Sequence, residues 1–360
     1  MLKKKSLMIL SLCCLVIICV FFAFTQYTIA LQEERAINYN ADVSENNESK
    51  EVRKRRIAVN KLLGWGFEFD SKRRHWSVQN GKKIFDATLS IDHFGRRVIP
   101  IENLNKRSKF LLFIGGSYVL SDTVNDNETY AYHIAKKLKN FSPYVYGGWW
   151  YAPTQHLRRF RNFPLKEEIP QEEGIALLLF NTSHARGILG DICFNVHDSN
   201  INAPKYSLTN KRLKYQGTFN ESELLQSTLI KVLPRTFKAS LMNHCWKRML
   251  KDQFGVYGVK DTLDEDEMML IITVFKELEK VIKESFPKSK LVVLLHFFGH
   301  KFLTDLYNKS KEEQIEIYKL DGNTLIDYEY PKSYHYSPKG EKVMSELILD
   351  ILVKNNILDI

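Results

Sequence analysis

The feature that most constrains the fold of this chain is an uninterrupted run of apolar residues from Phe110 to Ile114. A strand with one exposed face alternates apolar and polar residues, so this run is typical of a strand buried on both faces. Gly115 and Gly116 follow at once and allow a sharp turn, which places Ser117 at the carboxyl end of the strand. Open α/β sheets bind ligands at that edge, and a serine there can act as a nucleophile where a histidine reaches it.

Further along the chain, apolar runs of strand length alternate with segments of helical periodicity. Residues 175–180 and 290–296 are predicted to be buried strands, and 129–139, 265–286 and 340–353 are predicted to be helices. Strands that alternate with helices in this way are typical of a parallel sheet with crossover helices. The sequence therefore predicts an α/β domain.

We place this α/β domain at residues 105–360, with an insertion and a preceding module. Residues 191–261 are polar, basic and aromatic without a regular period, and we predict an insertion or a cap on the sheet there. Residues 61–104 show strand-like alternation with turn signals such as Asn80-Gly81, which predicts a small β-rich module. No set of candidate ligands is evident in that module, so its predicted role is packing.

The N-terminal segment predicts a membrane anchor. Residues 1–5 form a basic tip, and 6–31 are almost wholly apolar. Eighteen helical residues span about 27 Å, close to the hydrocarbon thickness of a bilayer. A signal peptide cleaved after Thr28-Ile-Ala30 is the alternative, but its apolar core is usually only ~7–15 residues long. The lysines before the span put the N-terminus in the cytoplasm, so we expect a single-pass inner-membrane protein with an extracytoplasmic, periplasmic domain. Residues 32–60 are polar and aperiodic and predict a linker.

Charge and cysteine content argue against several other classes of function. The formal net charge of +10 leaves room for anionic partners, but much of it lies in Lys3–Lys5, Arg53–Arg56 and Lys72–Arg74. Those runs are solvated or membrane-proximal, so we expect no nucleic-acid partner. The five cysteines show no zinc-ligand spacing, and neither a metal nor a cofactor is predicted. Cys193 and Cys245 are either free or joined in a disulfide outside the cytoplasm.

The C-terminal segment supplies a histidine that could serve Ser117. His335 lies in a polar and aromatic stretch just before an amphipathic helix, whose start is indicated by Ser337-Pro338. A strand-end serine near one end of an α/β domain and a loop histidine near the other predict a nucleophile and its general base.

Five short motifs in this order make the chain resemble the SGNH/GDSL hydrolases, in particular bacterial membrane-associated members. They are the leader Phe85–Arg97, the serine block Gly115–Thr129, the second block 144–157, the third block 177–190 and the histidine block His335–Gly340. The resemblance covers residues 62–360 except for the predicted insertion.

The resemblance implies a flavodoxin-like three-layer α/β/α sandwich and a serine esterase or O-acyl transferase/deacylase. Ser117 would attack the acyl carbonyl, and His335 would take its proton and return it to the leaving alcohol. The oxyanion would be held by the backbone N–H groups of Ser117 and Gly148 and by a third-block side chain, either Asn181 or His184.

The sequence departs from the family pattern at three points. The family's acid usually lies three residues before the histidine, where this chain has Lys332. Asp327 is therefore the predicted acid, with Glu329 or a backbone carbonyl as alternatives. In the second block Gly147 is an alternative donor to Gly148, and in the third block the position of the asparagine is not fixed by the pattern.

These observations predict an enzyme, with a second class of function as the alternative. The enzyme would be a membrane-anchored extracytoplasmic esterase or acyl transferase that acts on an acylated small molecule or glycan. The glycan is suggested by the extracytoplasmic location and by Tyr146, Trp149, Trp150 and Tyr151, because such rings stack on sugars, with packing in a core or lid as their alternative role. The alternative is a catalytically degenerate SGNH-fold binding or assembly protein of the cell envelope, which the missing acid favours. The membrane is the expected partner of the N-terminal helix.

Overall fold

The structure is a computed structural model that describes residues 38–79, 81–190, 202–222, 262–297, 301–330 and 335–358. The predicted anchor at 6–31 and both Cys193 and Cys245 lie outside the described residues. Among the helices of the described residues, none is long and apolar enough to cross a membrane.

Ten strands and ten α-helices make up the described part of the chain. In chain order they are β1 (Asn38–Asn46), α1 (Lys50–Leu63), β2 (Ser71–Gln79), β3 (Lys82–Ile91), β4 (Lys109–Gly115), α2 (Ser117–Leu120), α3 (Tyr130–Lys137), β5 (Phe141–Gly147), α4 (Pro153–Asn162), β6 (Gly174–Phe180), α5 (Thr182–Leu189), β7 (Pro204–Thr209), β8 (Arg212–Thr218), α6 (Phe219–Ser222), α7 (Glu265–Ser285), β9 (Lys290–Phe297), α8 (Lys301–Glu312), β10 (Ile317–Asp321), α9 (Asn323–Ile326) and α10 (Pro338–Lys354).

The central sheet contains five parallel strands in the order β5-β4-β6-β9-β10. Counted within this sheet alone the order is 2-1-3-4-5, which is that of flavodoxin-like doubly wound sheets. The order reverses between β4 and β6. Sheets of this kind bind ligands in the crevice at the carboxyl ends of the strands that flank such a reversal.

Helices cover both faces of the sheet, so the fold is a three-layer α/β/α sandwich. Phe110, Leu112 and Ile114 of β4 belong to a core that includes side chains of α4, α5, α7 and α8. The intervening Leu111 and Phe113 belong to a second core with side chains of α3 and α10. Both faces of β4 are therefore buried, which confirms the prediction from its unbroken apolar run.

A separate antiparallel sheet of three strands, in the order β1-β2-β3, precedes the central domain. Alternate residues of β3 are buried, and Ala87 and Leu89 pack with Val59 and Leu63 of α1. Leu120, at the end of α2, belongs to the same cluster. This small sheet therefore packs directly against the segment that carries Ser117.

The described part of the predicted linker 32–60 differs from that prediction, because it forms β1 and most of α1. β1 has no apolar period since it pairs only with β2 and exposes the side chains of residues 42–46. α1 begins at Ser49, whose side chain accepts a hydrogen bond from the Val52 N–H, and buries only Val59 and Leu63. With only two buried side chains, the sequence of α1 shows no clear helical period of apolar residues.

The sequence also gives no prediction for β5, and the described part of the insertion holds a hairpin. Pro143 lies within β5, where it is tolerated because β5 is an edge strand whose outer side needs no ladder hydrogen bond. β7 and β8 pair in antiparallel fashion, and the Tyr206 side chain is buried in the core on the α7 side of the sheet.

A buried carboxyl group joins α10 to the segment after Ser117. Glu341 Oε2 accepts hydrogen bonds from Ser121 Oγ at 2.9 Å and from the Tyr130 N–H at 2.7 Å. Burial raises the pKa of Glu341 to about 8, although these two donors and the nearby Arg97 act in the opposite direction. The carboxyl group is therefore mostly protonated in the folded protein at neutral pH.

This pKa predicts a stability that falls as the pH rises. Between the unfolded pKa, about 4.3, and the folded pKa, about 8, the folded state binds more protons than the unfolded state. Glu341→Gln keeps an acceptor oxygen and cannot ionise. Between pH 5 and 8 we expect the wild type to lose on the order of 3 kcal/mol more unfolding free energy than this variant. Urea denaturation at several pH values measures the difference.

The matched control is Glu346→Gln, which changes an exposed glutamate on the same helix. Its stability should follow the wild type across the pH range. Equal pH slopes in the wild type and Glu341→Gln would contradict the assignment.

Candidate active site

The structure brings Ser117 and His335 into direct contact, although 218 positions separate them in the chain. Ser117 Oγ and His335 Nε2 are 2.8 Å apart, which is hydrogen-bond distance. Both side chains are partly exposed. A hydroxyl group in contact with an imidazole nitrogen is the arrangement that a serine nucleophile and its general base require.

Two glycines let the backbone turn closely enough to present Ser117. A Cβ on Gly115 would lie 2.6 Å from Val119 Cγ2 and 3.0 Å from the Leu179 carbonyl oxygen. A Cβ on Gly116 would lie 2.7 Å from His184 Nε2. Both glycines are therefore required by close approach. Ser117 then begins α2 at the carboxyl end of β4, beside the point where the strand order reverses.

A buried guanidinium group fixes the backbone that follows Ser117. Arg97 donates to the carbonyl oxygens of Leu120 and Ser121 through Nη1 and to that of Val124 through Nη2, and its Nε pairs with Asp126 at 3.1 Å. The carbonyl groups at a helix end have no partners within the helix. Arg97 supplies donors to them in a fixed planar arrangement that lysine does not have.

The loop that carries His335 packs on the residue after the nucleophile. The Tyr118 ring stacks on the His335 ring, with centroids 5.1 Å apart and an interplanar angle of 26°. Tyr118 also contacts the ring of Tyr336, and the Tyr336 carbonyl oxygen accepts a hydrogen bond from Thr123 Oγ1 at 2.9 Å. The serine and histidine segments are thus held together on several sides of the reactive pair.

The residues considered as the acid lie in different places. Asp327 is exposed just after α9, and in the described part of the chain no hydrogen bond or ion pair joins it to His335. Glu329 is partly buried, and burial raises its pKa to about 7. In the part of the chain that the structure describes, the carboxylate near the imidazole is that of Asp122, whose Oδ1 lies 3.7 Å from His335 Nε2. Sequence reasoning missed Asp122, although it lies within the serine block.

The third block places His184 beside the turn before Ser117. Asn181 is the N-cap of α5, and its Oδ1 accepts hydrogen bonds from the His184 N–H at 3.2 Å and from Ser183 Oγ at 2.7 Å. In return the Asn181 N–H donates to His184 Nδ1 at 3.1 Å. These hydrogen bonds form a capping box.

The capping box fixes the tautomer of His184. Burial lowers its pKa to about 3, so the imidazole is neutral at pH 7. Because Nδ1 accepts a hydrogen bond, the ring proton lies on Nε2. Nε2 is the atom close to Gly116, so a neutral N–H donor lies beside the Ser117 turn.

Of the two predicted second-block glycines, Gly147 lies against the serine helix and Gly148 lies against the Tyr151 ring. A Cβ on Gly147 would lie 2.4 Å from the Leu120 backbone nitrogen, and a Cβ on Gly148 would meet the Tyr151 ring at 2.4 Å. The backbone N–H of Ser117, at the start of α2, has no hydrogen-bond partner among the described residues. An anionic oxygen could bind such an N–H group.

The described part of the chain contains no group of three or more His, Cys, Asp or Glu side chains that could hold a metal ion. What the site offers within that part is a serine in contact with a histidine, with N–H donors on the neighbouring segments.

No model of a known protein family matches the chain, and no curated protein does. It is similar to the solved structure of a protein of the G-D-S-L family from Desulfitobacterium hafniense DCB-2, with 12% identity, a TM-score of 0.33, and coverage of 68% of this chain and 99% of that one. It is also similar to an acetyl xylan esterase from Butyrivibrio proteoclasticus, with 11% identity, a TM-score of 0.39, and coverage of 82% and 72%. A family two carbohydrate esterase from Clostridium thermocellum shows 11% identity, a TM-score of 0.36, and coverage of 70% and 66%.

The first of these proteins is named for the G-D-S-L family, which the motifs of this chain resemble.

Arg97→Lys should destabilise the protein, because a single ammonium group cannot reach three carbonyl oxygens and Asp126 together. We expect a loss of roughly 2–4 kcal/mol, the cost of leaving buried polar groups without partners. Urea denaturation measures it. The control is Arg74→Lys, at an exposed ion pair with Asp86, which should change stability little. Similar effects of the two substitutions would contradict the role of Arg97.

Proposed function

We propose that the chain is a serine esterase or O-acyl transferase of the SGNH type that forms an acyl-enzyme on Ser117, with His335 as the general base. The observation that carries the proposal is the 2.8 Å contact between Ser117 Oγ and His335 Nε2. It lies at the carboxyl edge of the sheet where the strand order reverses, which is the position that binds ligands in doubly wound folds.

The reaction begins with the proton of the Ser117 hydroxyl. His335 Nε2 accepts this proton as Oγ attacks the acyl carbonyl carbon and a tetrahedral oxyanion forms. Collapse of this intermediate breaks the bond to the leaving alcohol, which takes the proton from Nε2. Water completes hydrolysis by the same steps in reverse, and an acceptor alcohol in its place gives acyl transfer.

The oxyanion is stabilised by the Ser117 backbone N–H and by His184 Nε2–H, with the Gly148 N–H as a further donor. His184 is preferred over Asn181 because its Nε2 lies against Gly116, and the capping box leaves the ring proton on that atom. A neutral N–H donor in a buried position stabilises developing negative charge without reorganisation.

The aromatic segment after β5 supports an acylated glycan as the substrate class. Trp149 and Trp150 are partly exposed, and Trp150 has a positive φ of 61° that turns the chain sharply. Trp65 and Tyr151 fix this turn through hydrogen bonds from Trp65 Nε1 to the Trp149 carbonyl and from the Tyr151 hydroxyl to the Trp65 carbonyl. Rigid aromatic rings beside a nucleophile suit sugar rings. The apolar segment 6–31 would tether the domain to the inner membrane.

A fluorophosphonate probe tests the nucleophile directly. In the full-length chain in detergent we expect labelling that is lost in Ser117→Ala and is at least ~10²-fold slower in His335→Ala. Ser44→Ala, at an exposed serine of β1, and His133→Ala, at a histidine of α3, are the controls and should label at the wild-type rate. A folded wild type that does not react with the probe would sink the enzyme proposal and favour the binding or assembly alternative.

The two third-block side chains can be separated by turnover of a p-nitrophenyl ester. His184→Ala should lower kcat by ~10²-fold with little change in KM, because the lost hydrogen bond forms in the transition state. Asn181→Ser keeps a capping oxygen and removes the amide group, so kcat should stay within ~5-fold of the wild type. The opposite ranking would assign the donor to Asn181.

A further inference from the structure

One oxygen of a buried carboxylate beside the reactive pair has no hydrogen bond. The Asp122 side chain is buried, and its Oδ2 accepts a hydrogen bond from Trp149 Nε1 at 2.5 Å. Its Oδ1 has no hydrogen-bond partner in the described part of the chain and lies 3.7 Å from His335 Nε2. A buried carboxylate oxygen is costly without a partner, so this arrangement requires an explanation.

Several elements hold Asp122 in this place. It follows Ser121, which adopts a left-handed conformation with φ 53° and has its carbonyl group bound by Arg97. His75 of β2 contacts it twice, with Nδ1 2.8 Å from the Asp122 carbonyl oxygen and 3.6 Å from Oδ2. Trp149 approaches from the loop after β5. The carboxylate is thereby fixed with Oδ1 towards His335.

We propose that Asp122 supplies the negative charge that stabilises the protonated imidazole of His335, and that it does so from the Nε2 side. This inference rests on the proposed function and adds a positioning residue to it. In the SGNH/GDSL pattern that this chain resembles, the acid lies three residues before the histidine, and this chain has Lys332 at that position. Asp122 supplies that charge from the serine block instead.

The geometry makes the effect selective for the charged state of His335. In the resting site Nε2 contacts the Ser117 hydroxyl, and 3.7 Å is too long for a strong hydrogen bond to Asp122. When the proton leaves Ser117 Oγ and bonds to Nε2, the imidazolium gains a unit charge close to Oδ1. An opposite charge within ~4–6 Å favours the charged form of a base. The proton then passes from Nε2 to the leaving alcohol.

Among the described residues, the other groups near this pair do not provide an equivalent charge. Glu329 precedes the His335 loop, but burial raises its pKa to about 7, so much of it is neutral at that pH. Glu341 accepts a hydrogen bond from Ser121, and burial raises its pKa to about 8, so it is mostly neutral at pH 7. Tyr118 stacks its ring on His335 and has no carboxylate group. His75 faces Asp122 rather than His335.

The test is the pH dependence of the fluorophosphonate labelling rate of the full-length chain. Asp122→Asn keeps an oxygen for Trp149 and removes the charge. For this variant we expect the pH midpoint of the labelling rate to fall by ~1 pH unit or more. The rate at the high-pH plateau should fall by ~10-fold or more. Asp122→Glu keeps the charge, so the pH midpoint of its labelling rate should lie close to that of the wild type. Asp327→Asn, at the acid predicted from the sequence, is the matched control and should follow the wild type.

An NMR titration of His335 in ¹³C-histidine-labelled protein gives a second readout that needs no reaction. The pKa of His335 should fall in Asp122→Asn, and Asp122→Ser is the second variant if the first does not fold. An unchanged His335 pKa, or a shift only in Asp327→Asn, would overturn the inference. A wild type without Ser117-dependent labelling overturns the proposed function instead, and the NMR titration still decides the pairing of Asp122 with His335.

Discussion

The buried guanidinium group of Arg97 is the interaction on which the site depends most. The helix that begins at Ser117 is only four residues long, so most of its carbonyl groups have no partner within it. Arg97 satisfies the carbonyls of Leu120, Ser121 and Val124 inside the protein, where water cannot. Without these donors the backbone after the nucleophile would have to open towards solvent, and both Asp122 and the Tyr118 stack on His335 would lose their positions.

Arg97 also connects the small antiparallel sheet to the central one. Its backbone N–H donates to the Val145 carbonyl on β5, and it forms an isolated bridge with Ile91 of β3. Leu120 and Tyr151 pack in the same cluster as the side chains of α1 and β3. The residues before the α/β domain therefore form part of the scaffold of the site.

Burial divides the histidines of this region into two kinds. Burial lowers the pKa of His156, His184 and His296 to about 3, so these three rings are neutral hydrogen-bonding groups. His156 Nε2 donates to the Gly115 carbonyl and thereby fixes the end of β4. His335 is the ring that reaches both solvent and the serine. A general base needs that access, whereas a structural or oxyanion donor works best when it cannot take up a proton.

The sequence predicts the parts of this molecule that are encoded locally. The run Phe110–Ile114 identifies the central strand because both of its faces are buried, and Ser117 follows from the glycines after it. The pairing of His335 with Ser117 is predicted from a strand-end serine and a loop histidine together with the family pattern, because nothing in the intervening chain encodes their contact. Asp122 could not be found in this way. Its approach to Nε2 depends on the turn at Ser121, which no spacing rule describes.

On the proposed function, this chain keeps the serine and the histidine of the family pattern and supplies the other two roles differently. The stabilising charge comes from Asp122 of the serine block, and the side-chain oxyanion donor is His184, one turn into the helix that Asn181 caps. Both changes are possible because several segments converge where the strand order reverses, so different chain positions can present a group to the same atoms. Such a site requires a charge or an N–H group at a given position in space, and residues from different parts of the chain can supply it. A missing residue in a sequence motif is therefore weak evidence that catalysis is lost.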